Sequence, residues 1–275
     1  MKKKVKVNGE VMYNYSSVLI VAILFVFMVL AIEAGYRIGG RTQSLVNEST
    51  KTQINAIQAS LLGILALLLG FTFSLSLQRF DSRSEAVVNE ANAIGTTYLR
   101  AQLLPSSVRE GAEGLLSDYL NLRVQAGTIS LDKQDEREAV LVKANQNLDA
   151  LWRYAQQAAD EDGGRGTSRL FIQSLNELID SYGRRDAALN RHVPEVVLFL
   201  LFGTFIMTGA LVGYASGLAG HRASFATHIL VMLIVLLVFM VIDLDRPRRG
   251  LIEVSQESLT NLQATIEAGK KVDSH

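Results

Sequence analysis

Few residues in this chain have the types and spacing that chemistry requires. The four histidines are dispersed and form no HExxH or comparable metal-ligand pattern. The acidic run from Asp132 to Glu138 lacks the alternating oxygen ligands and central glycine of an EF-hand loop. The glycine-rich segment DEDGGRG, residues 160–166, lacks the preceding strand and following lysine of a phosphate-binding loop. Because the chain also has no cysteine, the sequence predicts no catalytic residue, no metal site and no cofactor.

A stripe of small residues runs along an apolar segment near residue 70. Ser60, Gly63, Ala66, Gly70 and Ser74 recur at steps of three and four, so a helix would place all five within about a third of its circumference. A helix that only needed to dissolve in lipid would not need small residues on one face. The stripe therefore predicts either close contact with another helix or the lining of a water-filled path.

The small residues of this stripe must be positioned by membrane-spanning helices. The chain has 275 residues, 49% of them hydrophobic, and its mean hydropathy of +0.21 is too high for a soluble protein of this size. The apolar residues form four blocks, 15–36, 56–77, 196–218 and 225–242, each long enough to cross the hydrocarbon core as a helix. We therefore predict an all-α membrane protein with four transmembrane helices, the first of them uncleaved.

The distribution of cations predicts the orientation. Most lysines and arginines near helix ends, such as Lys2, Arg79 and Arg184, fall on one side of the predicted membrane, and few, such as Arg37, fall on the other. The positive-inside rule then places both termini and the segment between the second and third helices in the cytoplasm. The overall balance of 27 basic and 27 acidic residues gives no indication of a nucleic-acid partner.

The segment 78–192 is predicted to be a helical cytoplasmic domain. Apolar residues recur in it at helical spacing, as in the stripe Val87, Ala91, Ile94 and Tyr98. Loops are predicted at 105–107, 126–128 and 160–166, where proline, glycine or charge interrupts the periodicity. The predicted organisation is 1–77 for the N-terminal tail and first two spans, 78–192 for the helical domain, 193–242 for the last two spans and 243–275 for a cytoplasmic C-terminal segment.

Two further patterns in the apolar blocks are typical of packing and anchoring. Gly209, Gly213 and Gly217 form a GxxxGxxxG pattern in the third span, which is typical of close contact between helices. Glu33 would be an unusual carboxylate near the outer end of the first span. Because Arg37 follows it at i+4, we expect an interfacial ion pair.

Several segments of the chain resemble the bestrophin channel family. Gly70-Phe71 is followed by Arg79-Phe80, nine residues after the glycine, as in the second membrane helix of the bestrophins. The segment DLDRPRRG, residues 243–250, occupies the place of the family's acidic, proline-containing segment after its fourth helix. With LLLGFTFS and EANAIGTTYLR, these motifs are most similar to bacterial bestrophin-like proteins.

The resemblance implies a homopentamer around a central axis, with the second helix lining a narrow neck. It places Gly63, Leu67 and Phe71 on the pore and turns Ala66 and Gly70 towards a neighbouring helix. Bestrophins carry bulky apolar side chains at all three pore positions, and such constrictions can gate by dewetting. This chain keeps two of them, and Gly63 departs from the pattern at the outer end.

The charged residues near the predicted inner mouth have opposing effects. Arg79 and Arg83 would favour anions in a ring around the axis, whereas Asp81 would favour cations. The segment after the fourth span adds Asp243, Asp245, Arg246, Arg248 and Arg249. This segment is too basic to predict the calcium site of the family, and the balance of charges slightly favours anions such as chloride.

The preferred function is a homo-oligomeric ion channel of a bacterial inner membrane. Its expected partners are bilayer lipid, further copies of the chain and small inorganic ions. The alternative is a membrane sensor or signalling scaffold whose helical domain 78–192 binds a soluble protein, with the small-residue stripe serving packing alone. A membrane-embedded enzyme has the least support, because the sequence offers no paired histidine or carboxylate site within its spans.

Overall fold

The computed structural model describes residues 15–129, 133–161, 166–222, 224–246 and 251–273. Within these ranges the chain is helical and contains no strand. The helices are α1 (Ser17–Thr42), α2 (Glu48–Ala101), α3 (Ser106–Thr128), α4 (Gln134–Glu161), α5 (Thr167–Leu189), α6 (Glu195–Leu218), α7 (Phe225–Leu244) and α8 (Glu257–Asp273), with a short 3-10 turn at Gln43–Leu45. Lys2, Asp132, most of the 160–166 segment, Arg248 and Arg249 lie outside the described residues.

Four of the described helices, α1, α2, α6 and α7, are long and apolar enough to cross a membrane. Polar side chains cap the first turns of α1 and α7, because the first backbone N–H groups of a helix have no partner within it. The Ser16 hydroxyl accepts from the Leu19 amide at 3.2 Å, and the Ser224 hydroxyl accepts from the Thr227 amide at 3.3 Å. The prediction of four apolar helices is confirmed.

The contacts divide the chain into two compact units. The first, called the membrane unit here, comprises the described residues of Met1–Phe80 and His192–Glu253. All four apolar helices contribute to its core, whose buried residues are Val21, Leu24, Met28, Leu65, Leu69, Leu201, Phe205, Val231, Ile234, Val238 and Ile242. The expected ion pair of the first span is confirmed, with 2.8 Å between Arg37 Nε and Glu33 Oε1.

The second unit, called the helical unit, comprises the described residues of Asp81–Arg191 and Val254–His275. Its core includes Ile94, Leu116, Tyr119, Leu151, Phe171, Leu175 and Leu259, from five different helices. The loop predicted at 126–128 is wrong, since α3 continues to Thr128. Ala126 is 2% exposed and Gly127 lies against the Gln256 side chain, so tertiary packing outweighs the low helix propensity of glycine.

Candidate functional site

The predicted neck face of α2 is uncovered in the single chain. Leu67 and Phe71 are 58% and 62% exposed, whereas Leu65, on the other side of the helix, is 1% exposed. A Cβ atom built on Gly63 or Gly70 would meet no atom of the chain within 4 Å. No helix of the described ranges therefore lies over this face.

The exposed face of α2 differs in composition from those of α1 and α7. On α2, small residues alternate with large ones, and Ser60, Ala66, Gly70 and Ser74 are all exposed. Most exposed residues of the other two helices are bulky, among them Val18, Leu19, Phe25, Phe27, Leu30, Phe225, Ile229, Met232, Leu233 and Leu236. Large apolar side chains are what lipid requires. Contact with lipid therefore does not explain the small exposed residues of α2.

The glycine pattern of α6 faces α1 at backbone distance. A Cβ atom on Gly213 would overlap the carbonyl oxygen of Ile32 and lie 2.8 Å from its carbonyl carbon. One on Gly217 would overlap the carbonyl oxygen of Tyr36. Such contacts exclude any side chain, since a main chain cannot move aside as a side-chain end can. Gly209 of α6, and Gly35 and Gly39 of α1, lie in the same contact between the two helices.

The three charged residues after the second apolar block do not lie on one face. Arg83 is 1% exposed, and it donates to the carbonyl oxygens of Ala188 at 3.3 Å and Arg191 at 2.8 Å. These carbonyls close the C-terminal end of α5, where unpaired acceptors and the helix dipole favour a cation. Arg79, one turn earlier, is half-buried, and Asp81 is exposed on the opposite side of the helix.

Asp243 and Asp245 are buried and bound by backbone amides. The Asp243 carboxylate accepts from the amides of Leu251 at 2.8 Å and Ile252 at 3.0 Å. The Asp245 carboxylate accepts from the amide of Val193 at 3.1 and 3.0 Å. Each aspartate is 1% exposed, and charge-assisted bonds to N–H groups offset the cost of burying it. The two carboxylates thus anchor the segment that leaves α7 and the segment that enters α6.

A histidine and a buried arginine flank the Asp245 site. His192 Nδ1 lies 3.2 Å from the carbonyl oxygen of Asp245 and 3.8 Å from its carboxylate. Arg246 is 3% exposed and donates to the carbonyl oxygen of Tyr15. In the part of the chain that the structure describes, no three histidine or acidic side chains meet in a group that could hold a metal ion.

A buried charge network in the helical unit was not predicted from the sequence. Glu90 is 0% exposed, and one of its oxygens accepts from the Tyr119 hydroxyl at 2.8 Å and from Arg123 Nε at 2.7 Å. Its other oxygen accepts from Arg123 Nη2 at 3.1 Å and from Arg185 Nη1. Arg185 in turn donates through Nη2 to the Gln256 side chain at 2.6 Å. The network joins α2, α3 and α5 to the residue that precedes α8.

Burial and charge act in opposite directions on this network. Burial alone would raise the pKa of Glu90, but Arg123 and Arg185 outweigh it and hold that pKa below the usual glutamate value. Burial and the neighbouring Glu90 carboxylate raise the pKa of Tyr119 well above its usual value. The cluster therefore contains an ionised glutamate, two guanidinium groups and a neutral tyrosine. The Arg123 guanidinium also lies over the Tyr182 ring, 4.8 Å from its centroid.

Polar residues of α2 line two grooves of the helical unit. Asn89, Asn92 and Thr96 line an open groove of about 590 Å³ with Gln173 and Glu177 of α5. A second groove of about 360 Å³ is lined by Glu85, Asn89 and Arg191, and it shares Asn89 with the first. In contrast to Arg83, Asp81 and Glu85 are exposed on α2, and of these two Glu85 lines the second groove.

The architecture, with four apolar helices and an all-helical unit inserted between the second and third, defines a multi-span helical membrane protein. A family model, described as the bestrophin-like domain, matches residues 17–259. The chain belongs to the bestrophin-like family, whose known members are ion channels. No curated protein sequence is similar enough to count as a match.

Solved structures of a bacterial bestrophin homologue from Klebsiella pneumoniae share the fold. A tryptophan-to-alanine variant of that protein matches with a TM-score of 0.66 and 18% identity, covering 92% of this chain and 96% of the other. An aspartate-to-alanine variant matches with a TM-score of 0.65 and 15% identity, covering 91% and 97%. The resemblance stated from the sequence is therefore confirmed.

Proposed function

We propose that this protein is a homo-oligomeric ion channel that passes small ions down their gradient through a neck lined by α2. The observation that carries the proposal is the uncovered face of α2, with Leu67 and Phe71 exposed among glycine, alanine and serine. Bulky apolar rings of this kind restrict a pore by dewetting, and small residues beside them allow neighbouring helices to approach closely.

The neck requires several copies of the chain around one axis. By analogy with its family we propose a pentamer in a bacterial inner membrane, with both termini in the cytoplasm. In that assembly Gly63, Leu67 and Phe71 face the axis, and Ala66 and Gly70 pack against the adjacent copy. A monomer would leave two glycines of α2 in contact with lipid, where they contribute no apolar area.

For ion selectivity, we propose a preference for cations, in place of the anions that the sequence slightly favours. The anion preference depends on Arg79 and Arg83, but Arg83 is buried and binds the end of α5. Between residues 79 and 101 of the same helix, the exposed charged side chains are the carboxylates of Asp81 and Glu85. A ring of exposed carboxylates raises the local concentration of cations, so we propose that it sets a modest cation preference.

Reconstitution of the purified protein in a planar bilayer with ion substitution tests these proposals together. We expect currents whose reversal potential shifts with the cation gradient and whose gating changes in the double variant Leu67→Ala, Phe71→Ala. Leu236→Ala on α7 is the matched control, because that leucine is 53% exposed on a helix with a lipid-like face. Equal behaviour of the double variant and the parent would rule out these two rings as the constriction.

The selectivity proposal has a separate test in the same bilayers. Asp81→Asn with Glu85→Gln removes both carboxylates, and we expect the permeability ratio of sodium to chloride to fall by at least about threefold. Glu110→Gln, an exposed glutamate of α3, should leave the ratio unchanged. An unchanged ratio in the double variant would contradict the proposed ring.

The polar groove between α2 and α5 favours a second candidate function, a sensor or scaffold that binds a soluble protein. This candidate predicts silent bilayers and capture of a partner that is lost when Asn92 or Gln173 in the groove is replaced by a large side chain. Bilayer currents from purified protein distinguish it from the channel.

A further inference from the structure

The larger polar groove of the helical unit lies between two helices that are bonded to each other. Thr97 of α2 donates to the carbonyl oxygen of Ser174 of α5 at 3.1 Å, and Arg100 donates through Nη1 to that of Leu170 at 2.8 Å. The groove has a volume of about 590 Å³, which is the size of a small-molecule site. Polar residues that line it include Asn92, Thr96, Arg100, Gln173, Glu177 and Arg184.

The neutral polar groups of this groove have no partner in the part of the chain that the structure describes. The side chains of Asn92, Thr96 and Gln173 are exposed, and none of them forms a hydrogen bond within the described ranges. Thr96 differs in this respect from Thr97, whose hydroxyl also donates to the carbonyl oxygen of Ala93 at 2.7 Å. The groove therefore offers two amides and a hydroxyl, each able to donate and to accept, to a ligand that enters it.

The charged groups of the groove leave an excess of positive charge. Arg184 is paired with Glu177, so these two charges oppose each other. Arg100 binds a neutral carbonyl instead, and it forms no ion pair with a carboxylate of the described ranges. That carbonyl belongs to Leu170 in the first turn of α5, where the helix dipole also favours an anion. A ligand that carries a negative charge is therefore attracted to the Arg100 end, where the guanidinium has further N–H donors.

We propose that this groove binds a small hydroxylated organic anion, namely a sugar acid or a sugar phosphate. Its carboxylate or phosphate accepts from the Arg100 guanidinium, and its hydroxyl groups exchange hydrogen bonds with the two amides and the Thr96 hydroxyl. Ala93 is the one apolar residue of the described lining, so the groove offers a nucleobase or an acyl chain no aromatic ring or apolar wall. The site lies within the helical unit, and binding to it does not require conduction through the neck.

Isothermal titration calorimetry of the full chain, purified in detergent, tests the site. Gluconate represents the sugar acids and glucose 6-phosphate the sugar phosphates, so the two titrations distinguish the two sources of the anion. Glucose, which has the hydroxyl groups without the charge, and inorganic phosphate, which has the charge without the carbon chain, are the controls. We expect saturable binding of at least one probe, at least about tenfold tighter than that of either control. Absence of binding by both probes, or equally tight binding of a control, would overturn the proposal.

Variants of the two amides test whether the ligand occupies this groove. Asn92→Ala and Gln173→Ala each remove a side chain that has no partner in the described chain, so both variants should fold as the parent does. Each loses one hydrogen bond to the ligand, and we expect its dissociation constant to rise about fivefold. Gln156→Ala, which removes an exposed amide of α4 outside the groove, should bind as the parent does. Unchanged affinity in both groove variants would contradict the proposed site.

A third variant tests where the charge of the ligand lies. Arg100→Gln removes a charge-assisted bond, and we expect the dissociation constant of the bound probe to rise by at least about tenfold. Arg169→Gln is the matched control, because this arginine is exposed in the first turn of α5 and does not line the groove. Circular dichroism of both variants verifies that they are folded. A folded Arg100→Gln variant with the affinity of the parent would overturn the assignment of the anion to Arg100.

Discussion

The two units of this chain achieve close packing by different means. In the membrane unit, glycines of α1 and α6 bring main chains together, as where Gly213 faces Ile32 and Gly217 faces Tyr36. In the helical unit, the glycines that have neighbours face the ends of side chains, as where Gly95 meets Leu262 and Gly127 meets Gln256. In lipid, helices gain nothing by removing apolar surface from their surroundings, so close backbone approach must supply the attraction. The helical unit can use the hydrophobic effect, and its packing needs no such approach.

The two units also differ in how their buried charges are bound. In the membrane unit, the buried carboxylates Asp243 and Asp245 bind backbone amides near the ends of apolar helices. In the helical unit, Glu90 binds the side chains of Tyr119 and two arginines in the middle of the core. A network of this kind fixes which helices meet, although it contributes little net stability over an apolar core. We infer that geometry in the helical unit is specified by polar pairing, and in the membrane unit by shape.

The substitution Glu90→Gln tests this difference between the units with the largest expected effect. It leaves the Arg123 and Arg185 guanidinium groups buried without their carboxylate, and we expect the free energy of unfolding to fall by about 3–5 kcal/mol. Urea unfolding of the full chain in detergent, followed by Trp152 fluorescence, measures the loss.

The matched control for that experiment is Glu85→Gln, on the same helix but exposed. A surface substitution of this kind should change the free energy of unfolding by no more than about 0.5 kcal/mol. If the two variants were equally stable, the network would not specify the core.

The second prediction concerns shape in the membrane unit. Gly213→Ala would place a methyl group on the main chain of Ile32, and we expect α1 and α6 to separate at a cost of about 3 kcal/mol. Gly203→Ala on the same helix meets no atom within 4 Å, and it should gain up to about 1 kcal/mol from helix propensity. Midpoints of thermal unfolding in detergent rank the variants, and an unaffected Gly213→Ala would contradict backbone contact as the basis of packing.

The sequence predicts these two kinds of packing unequally well. Four apolar blocks and the GxxxGxxxG pattern are visible because both arise from local spacing. The position of Arg83 is not, because its partner Ala188 lies 105 residues away in the chain. Its burial depends on where α5 ends, which no local pattern around Arg83 encodes.

One local pattern in the sequence indicates the buried network. Glu90 lies within the apolar stripe of Val87, Ala91 and Ile94, three residues after the first and four before the last. A charged residue inside an apolar stripe predicts burial with a partner. Sequence alone does not identify that partner, because Arg123 and Arg185 come from two other helices. The uncovered face of α2 is ambiguous for a related reason, since no described helix of this chain covers it.

The third prediction is a pH dependence confined to the network. The pKa of Glu90 is lowered in the folded protein, so its stabilising effect is complete above the unfolded glutamate value of about 4.3 and is lost as the pH falls through the folded value. The stability gap between the parent and Glu90→Gln should therefore shrink below about pH 4.3, by at most about 1.4 kcal/mol per pH unit. Urea unfolding of both proteins from pH 7 to pH 3 measures this difference in the free energy of unfolding. The other carboxylates are the same in both proteins, so their contributions cancel. A constant gap would mean that folding does not change the pKa of Glu90.

The smallest predicted effect is that of Gly127→Ala, which sharpens the contrast between the two kinds of glycine. A Cβ atom there would lie 3.0 Å from Gln256 Oε1 and 3.2 Å from Cγ of the same side chain. That side chain can shift by a few tenths of an ångström, and alanine is the better helix former by up to about 1 kcal/mol. We therefore expect a change in the free energy of unfolding within about 0.5 kcal/mol, against the large loss in Gly213→Ala. A loss as large as that of Gly213→Ala would mean that Gln256 is held as rigidly as a main chain, and the distinction between packing by shape and packing by side chains would fail at this point.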